Sequence, residues 1–305
     1  MDSMPKPGRW QERTMHFAKR VLLFYLMVIA VFTWFQRTMM YPAGRAEQLA
    51  VAEFPVTTGK FSKAADVEIV SGGNEKIRGW FLQAGKNRGD RLMLFFHGNG
   101  SHRARRLAWY ELFWSIHVDV LAMDYRGYAD SEGQPSEKAL TEDAAATWKY
   151  ATQELGYRPD QIVITGESLG GGVGVKLASA VCQQGDQPAG LILVSTFSSM
   201  LDAARNRFWW LPVRLLLIDR YRSDLEIPHV TCPVLQFHGT ADSIVPLPLA
   251  QRLHDMTLAK SQSGVPKKFV LFRGTGHNDV LNRNGKEVQN EIQQWIQSGK
   301  ASLKP

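Results

Sequence analysis

Gly166-Glu167-Ser168-Leu169-Gly170 lies between the apolar run Gln161 to Thr165 and a small-residue stretch, Gly171 to Ala180. A strand that turns abruptly into a helix across such a pentapeptide holds its central serine in a strained conformation, with the hydroxyl projecting from the sheet. Glycine on both flanks removes the side chains that would clash there. Gly170, Gly171, Gly172 and Gly174 then let the helix sit close against the sheet. A G-x-S-x-G string alone is a weak signal, so its meaning depends on partners elsewhere in the chain.

Those partners follow in the order serine, acid, histidine, each after an apolar run that reads as a parallel strand, and this order argues for an α/β-hydrolase arrangement. Pro233 to Gly239 leads into Thr240-Ala241-Asp242-Ser243, which places a carboxylate after the seventh strand. Lys268 to Phe272 runs into Gly274-Thr275-Gly276-His277. Earlier, Leu92 to Phe96 ends in His97-Gly98-Asn99-Gly100, a loop able to offer a backbone N–H without obstruction. A serine hydroxyl is a poor nucleophile at neutral pH. An imidazole must take its proton, and a carboxylate must hold that imidazole in one tautomer. Ser168, His277 and Asp242 are the candidates for these three roles, with the backbone N–H groups of Leu169 and Asn99 as oxyanion donors.

Together these residues resemble the α/β-hydrolase superfamily, and within it the membrane-anchored serine hydrolases with serine-aminopeptidase-like and depalmitoylase-like domains. The resemblance covers about Val67 to Trp295 and includes Asp124-Tyr125-Arg126-Gly127-Tyr128 with Ser131, Gly133, Pro135 and Ser136, and Gly276-His277-Asn278-Asp279. It implies that the oxyanion N–H after His-Gly falls on Asn99. Ala129 stands where many relatives carry glycine, and Thr275 where a small residue is usual. Neither is a catalytic position.

Rival assignments exist for several of these residues. Asp202, after the sixth strand, competes with Asp242 for the acid, because some hydrolases place it there. His97 and His238 end strands and read as partners of loop backbone, and the remaining histidines His16, His102, His117, His229 and His254 have no partner motif. Asp124 reads as a scaffold residue tying down the loop after the fourth strand.

Eight strands are expected at Val67 to Val70, Ile77 to Leu82, Leu92 to Phe96, Val118 to Met123, Ile162 to Thr165, Leu191 to Val194, Val234 to Phe237 and Phe269 to Phe272. Helical stretches alternate with the last six. The expected architecture is therefore α/β, an eight-stranded, mostly parallel sheet with helices on both faces and a small cap. Ser136 to Leu155 carries Leu140, Ala144, Trp148 and Ala151 at helical spacing, the pattern of a helix behind the sheet. Nucleotide fingerprints and metal-ligand spacings are absent from the sequence, and no metal or organic cofactor is implied.

The amino terminus carries a second message. Val21 to Phe35 is an uncharged apolar run, preceded by Lys19 and Arg20 and followed by Arg37. At about 1.5 Å per residue it falls short of a hydrocarbon core of roughly 30 Å. Adding Phe17 and Ala18 and letting the flanking cations snorkel brings it close. An uncleaved transmembrane helix, a cleaved signal peptide and a buried soluble helix compete here. Val28-Ile29-Ala30 resembles a cleavage site, but Val31 to Phe35 continues the run beyond it, and Trp34 suits an interface. The organisation that follows is a cytoplasmic tail over 1–16, a membrane anchor over 17–36, a linker over 37–65, a catalytic domain over 66–298 with a cap over 198–228, and a tail over 299–305. Lys6, Arg9, Arg13, Lys19 and Arg20 precede the run while Arg37 and Arg45 follow it closely, which places the amino terminus in the cytoplasm and the catalytic domain on the external or periplasmic side. Cys182 and Cys232 either pair in an oxidising compartment or are simply buried.

A formal net charge of +7 first suggests nucleic acid. Its distribution argues otherwise, because much of the excess precedes the apolar run or lies in Arg205, Arg207, Arg214, Arg220 and Arg222. The second group interleaves with Phe208-Trp209-Trp210-Leu211, where hydrolases commonly insert a cap over the site. Aromatic residues mixed with arginine fit an acyl-binding cap or a lip facing anionic lipid. An ordinary packed cap helix with a solvated face is the plainer alternative. Phe208, Trp209, Trp210 and Leu211 are thus the candidate substrate contacts. The expected function is a membrane-anchored serine hydrolase of carboxylic esters or thioesters, with an ester or acyl substrate and the lipid bilayer as partners and no nucleic acid. A serine aminopeptidase or amidase is the alternative within the enzyme class, a non-catalytic membrane scaffold the alternative outside it, and a soluble enzyme without an anchor a third.

Overall fold

From residue 63 onward, β-strands alternate with helices in a computed structural model that describes residues 9–44, 46, 48–54, 59–86 and 89–301. Lys6 and Arg45, which contribute to the charge asymmetry across the apolar run, lie outside the described residues. So do all of residues 1–8 of the expected cytoplasmic tail and residues 302–305 of the carboxyl-terminal tail. The strands are β1 (Lys63–Val70), β2 (Lys76–Gln83), β3 (Leu92–Phe96), β4 (Asp119–Met123), β5 (Ile162–Glu167), β6 (Gly190–Val194), β7 (Val234–Gly239) and β8 (Lys268–Phe272). The principal helices are α1 (Arg9–Met40), α2 (Leu107–Ser115), α3 (Glu137–Lys149), α4 (Leu169–Gln183), α5 (Met200–Arg207), α6 (Val213–Leu216), α7 (Ser223–Glu226), α8 (Leu247–Met256) and α9 (Val280–Ala301).

The strands form one sheet in the order β1-β2-β4-β3-β5-β6-β7-β8. β1 and β2 pair antiparallel, β2 joins β4 antiparallel, and every later pairing is parallel. All eight expected strands are present. Parallel strands need crossover helices, which cover both faces, so their sequences are apolar throughout. β3, β4 and β6 are accordingly buried at every position, whereas the edge strand β8 exposes Lys268 and Leu271.

Side-chain alternation along β3 divides the core in two. Leu92, Leu94 and Phe96 join a cluster with Leu140, Ala144 and Trp148 of α3 and Val173 and Leu177 of α4. Met93 and Phe95 point the other way, to Trp109, Tyr110 and Phe113 of α2 and Val288, Ile292 and Trp295 of α9. Each large apolar side chain removed from water in these layers contributes about 1.5–3 kcal/mol. Ser136 caps α3 by accepting the Ala139 N–H at 3.1 Å, and Leu140 and Ala144 on its inner face and Ala151 in the turn that continues it are fully buried, so the helical spacing read from the sequence is the packing face.

Two buried arginines brace the loops at the carboxyl ends of β3 and β4. Arg126 donates from Nε to Asp143 at 2.7 Å, from Nη2 to Glu142 at 2.7 Å and from Nη1 to the Gly72 carbonyl at 2.8 Å. Arg103 pairs with Asp124 and Asp130 and lies over the Trp80 ring at 5.2 Å. The Arg103 N–H also donates to Asp124 at 2.7 Å. Burial works to raise the Asp124 carboxyl, but His97 and Arg103 together prevail and hold it below the ordinary carboxylate range. Asp124 therefore ties the loop after β3 to the end of β4. Ala129 adopts φ +47°, a left-handed conformation that favours glycine, and is held there by its N–H bond to the Gly44 carbonyl at 2.9 Å. The glycine that the resemblance leads one to expect at that position would suit this backbone.

α1 is a single helix of 32 residues, among the described residues the one long and apolar enough to cross a membrane, with mean hydropathy 1.7 over its best window. It extends beyond the 17–36 span read from the sequence at both ends. Cys182 and Cys232 are buried free thiols.

Candidate active site

Ser168 sits between β5 and α4 with φ +51° and ψ −114°, a conformation rarely adopted by a residue with a side chain. The surroundings enforce it. Ser168 N–H donates to the Val194 carbonyl at 2.9 Å, and its carbonyl accepts from Thr196 Oγ1 at 2.8 Å and Gly171 N–H at 2.9 Å. A methyl group on Gly166 would strike the Gly170 carbonyl, and one on Gly170 would strike the Phe96 carbonyl. Glycine is therefore required at both flanks by backbone approach.

His277 arrives on the loop after β8 and places Nε2 2.9 Å from Ser168 Oγ. Its Nδ1 lies 2.7 Å from Asp242 Oδ2. The other carboxylate oxygen of Asp242 accepts the N–H groups of Ile244 at 2.9 Å and Val245 at 2.8 Å, which fixes the carboxylate plane. The three groups come from loops after β5, β7 and β8 and meet at one edge of the sheet. Such an arrangement can pass a proton from hydroxyl to imidazole while a carboxylate faces the imidazolium that forms.

Asp202, the rival acid, points elsewhere. It lies 3.3 Å from Arg252 and 3.8 Å from Arg205, and its N–H donates to Ser199 Oγ at 3.0 Å, at the start of α5. His238 Nε2 lies 2.9 Å from the Val245 carbonyl and 3.5 Å from Asp242. Burial lowers its imidazole below the ordinary value, so at neutral pH it does not compete as a cation for Asp242. His97 Nδ1 contacts the Gly98 carbonyl at 2.8 Å and its Nε2 lies 3.1 Å from Asp124. Both strand-end histidines serve the loops.

The loop after β3 passes beside the serine: a Cβ on Gly98 would lie 3.4 Å from Ser168 Cβ. The Asn99 side chain is occupied, accepting from Tyr128 Oη at 2.7 Å and Gly100 N–H at 3.0 Å and donating to the Met40 carbonyl. Among the described residues no acceptor takes the backbone N–H of Asn99 or of Leu169. Asn99 and Leu169 line the same cavity as Ser168, and free N–H groups near the serine are what holding an oxyanion requires.

A cavity of about 320 Å³ opens beside Ser168, lined by Asn99, Leu169, Phe197, Met200, Phe208, Leu211, Ile244 and Val245 among others. Of the four candidate substrate contacts, Phe208 and Leu211 line it. Trp209 faces away and is 83% exposed, while Trp210 stands outside the lining with its ring edge on Phe32. Four-residue proximity in sequence did not imply a shared face, because the chain leaves the helix at Phe208 and turns. The sequence reading missed Phe32, Thr33, Gln36, Met39 and Met40, all on α1 and all in the wall. A signal was available: polar Thr33 and Gln36 interrupt an apolar run at helical spacing.

Residues 87–223 match the family model described as Serine aminopeptidase, S33. An uncharacterized protein of Mycobacterium tuberculosis is 30% identical over 268 residues, covering 88% of this chain and 90% of its own. The lysophosphatidylserine lipase ABHD12 of Danio rerio is 34% identical over 197 residues, covering 59% of this chain and 51% of its own, so the match spans about half the length of that relative. An esterase of Pyrococcus furiosus has the same fold, with a TM-score of 0.66 at 19% identity, covering 85% of this chain and 98% of the other. Sheet order and the matching family model agree: this chain belongs to the α/β-hydrolase superfamily, and its residues 87–223 match the S33 serine aminopeptidase-like branch of hydrolases.

Proposed function

We propose that this hydrolase is a membrane-anchored serine esterase that cleaves single-acyl lipid esters or thioesters through an acyl-enzyme. Ser168 attacks the acyl carbonyl, and His277 takes its proton. The Leu169 and Asn99 N–H groups stabilise the tetrahedral oxyanion, and each such donor is worth roughly 100- to 1000-fold in rate. His277 then protonates the departing alcohol or thiol. In the second half-reaction it activates water, which releases the acid and restores Ser168. Asp242 holds the tautomer throughout.

One observation carries this reading: the Ser168 hydroxyl that contacts His277 at 2.9 Å also lines an apolar cavity. That cavity lies at the small end of the roughly 300–1,000 Å³ typical of ligand sites, a size suited to one acyl chain rather than two. The lipase name of the Danio rerio relative points to the same substrate class. An aminopeptidase would need an anionic group near the serine to hold a substrate ammonium. Arg207 is the one charged residue among the described residues of the lining, and Glu167, next to Ser168, is paired with Arg106 at 2.5 Å. Both features disfavour an ammonium. The anchor spans the bilayer with its amino terminus in the cytoplasm, on the strength of the cations before the apolar run.

Purified full-length protein assayed against p-nitrophenyl esters, acyl thioesters and aminoacyl amides of graded length tests the reading. Esters or thioesters should turn over fastest, with efficiency rising over short to medium chains. Faster turnover of aminoacyl amides would replace the esterase with the aminopeptidase.

A further inference from the structure

The anchor helix does more than tether the enzyme. Val28, Ile29, Phe32, Thr33, Gln36 and Met40 are its partly covered positions and recur at helical spacing as one stripe, with the exposed Tyr25 one turn earlier on the same side. This stripe faces the cap. Tyr25 Oη donates to the Trp210 carbonyl at 2.9 Å, and Phe32 packs edge-on against both Phe208 and Trp210 with centroids 5.7 Å away. The Gln36 amide donates to the Leu216 carbonyl at 3.3 Å and accepts the Ile218 N–H at 2.9 Å. Arg37 grips buried Asp219 with two bonds, at 3.0 and 3.3 Å. Beyond the helix end, Tyr41 Oη meets Tyr221 Oη at 3.0 Å, and the Met40 carbonyl is held by Asn99 of the candidate oxyanion loop.

We infer that α1 forms one wall of the acyl cavity and that the cap enters the bilayer beside it, so that a single-acyl lipid ester reaches Ser168 directly from the leaflet. This rests on the esterase reading above. The geometry leaves little alternative once α1 is membrane-inserted. Its attachments at Tyr25 and Gln36 are separated by about 17 Å of helix, more than half of the roughly 30 Å hydrocarbon core. The cap runs alongside this stretch and must be carried in with it. Part of its outward surface suits that environment, since Trp209, Leu215 and Ile218 are mostly exposed, as are Val31, Trp34 and Phe35 of α1, while the exposed Arg205, Arg207, Arg214 and Arg220 suit the headgroup level. Between the two elements lies the cavity, walled by Phe32, Thr33, Gln36 and Met39 on one side and by Phe208, Leu211 and Leu216 on the other. An acyl chain sliding between them exchanges lipid for apolar side chains and never crosses water.

The test uses the full chain in detergent or vesicles and reads the ratio of kcat/KM for a dodecanoyl and a butanoyl p-nitrophenyl ester. Thr33→Phe fills the wall and should lower this ratio about tenfold, the loss expected when about two methylenes lose their burial. Phe32→Ala opens the wall and should move the preferred length upward. Leu23→Ala, on the lipid-facing side of the same helix and 65% exposed, should keep the wild-type ratio. Fluorophosphonate labelling of each variant reports an intact serine site independently of chain length. If Thr33→Phe and Phe32→Ala are both labelled and both keep the wild-type ratio, α1 is not a wall and the inference falls while the esterase stands. If the wild type itself is not labelled, the esterase reading falls and takes the inference with it.

Discussion

The turn at Ser168 and the cap over residues 198–228 are built on opposite principles. At the turn, backbone meets backbone: glycines admit the Phe96 and Gly170 carbonyls, and the strained serine is clamped by bonds to β6 and the loop after it. In the cap, short helices of four to eight residues are met by side chains of α1, about 180 positions away in sequence, that donate to cap backbone carbonyls. One region can barely vary without losing its shape. The other can change residues while keeping its attachments. In the proposed reading the difference separates chemistry from specificity: the proposed reacting groups stand at the rigid carboxyl end of the sheet, and part of the cavity wall comes from a segment facing the apolar helix.

Substitutions should therefore fall into different classes on the two sides, and the largest effect is expected at the sheet edge. Asp242→Asn should lower kcat by something approaching ten-thousandfold with the fold intact, because the amide no longer holds the His277 tautomer. Asp202→Asn, in an ion pair with Arg252 at the edge of the cap, should stay within about tenfold of wild type, a loss of roughly 1.4 kcal/mol. Steady-state kinetics on a short ester separate the two, and the reverse ranking would break the division.

The scaffold under the turn is the next test. Arg103→Leu leaves Asp124 buried without its cation and should cost about 3–5 kcal/mol in denaturant unfolding. Its pH dependence has a definite sign. Asp124 and Asp130 are both held below the ordinary value of 3.8, with burial opposing and Arg103 among the groups that prevail. Their contribution is complete above that value and is lost as pH falls through the lower native ones. The gap between wild type and Arg103→Leu should narrow as the pH is lowered below about 3.8. A gap that stays constant in acid would show that the arginine acts through packing.

The smallest effects belong to the cap. Phe208→Ala with Leu211→Ala should flatten the rise of kcat/KM with acyl length, each methylene contributing up to about 0.8 kcal/mol where it is buried. Trp209→Ala should leave that slope unchanged and weaken vesicle binding instead, since Trp209 is outside the cavity. Flotation and chain-length kinetics on the same preparations check both.

How much of this was legible in the sequence follows the same division. The strands were visible because buried parallel strands are apolar without interruption, and the meeting of Ser168, Asp242 and His277 was foreseeable because the proposed catalysis would dictate both residue type and strand-end position. The cavity was not. Phe32 and Phe208 are 176 positions apart, a pairing that no local periodicity encodes, and Thr33 and Gln36 hint that one face of α1 meets protein without saying which segment covers it. Trp209 and Trp210 looked like cavity residues by composition, yet the turn after α5 sends them outward.

The central claim is that Ser168 is the covalent nucleophile, and adduct mapping tests it most directly. Full-length protein treated with a fluorophosphonate probe, digested and analysed by mass spectrometry should carry a single adduct on the peptide containing Ser168, and Ser168→Ala should carry none. Equal labelling of the variant, or no labelling of either protein, would contradict the account.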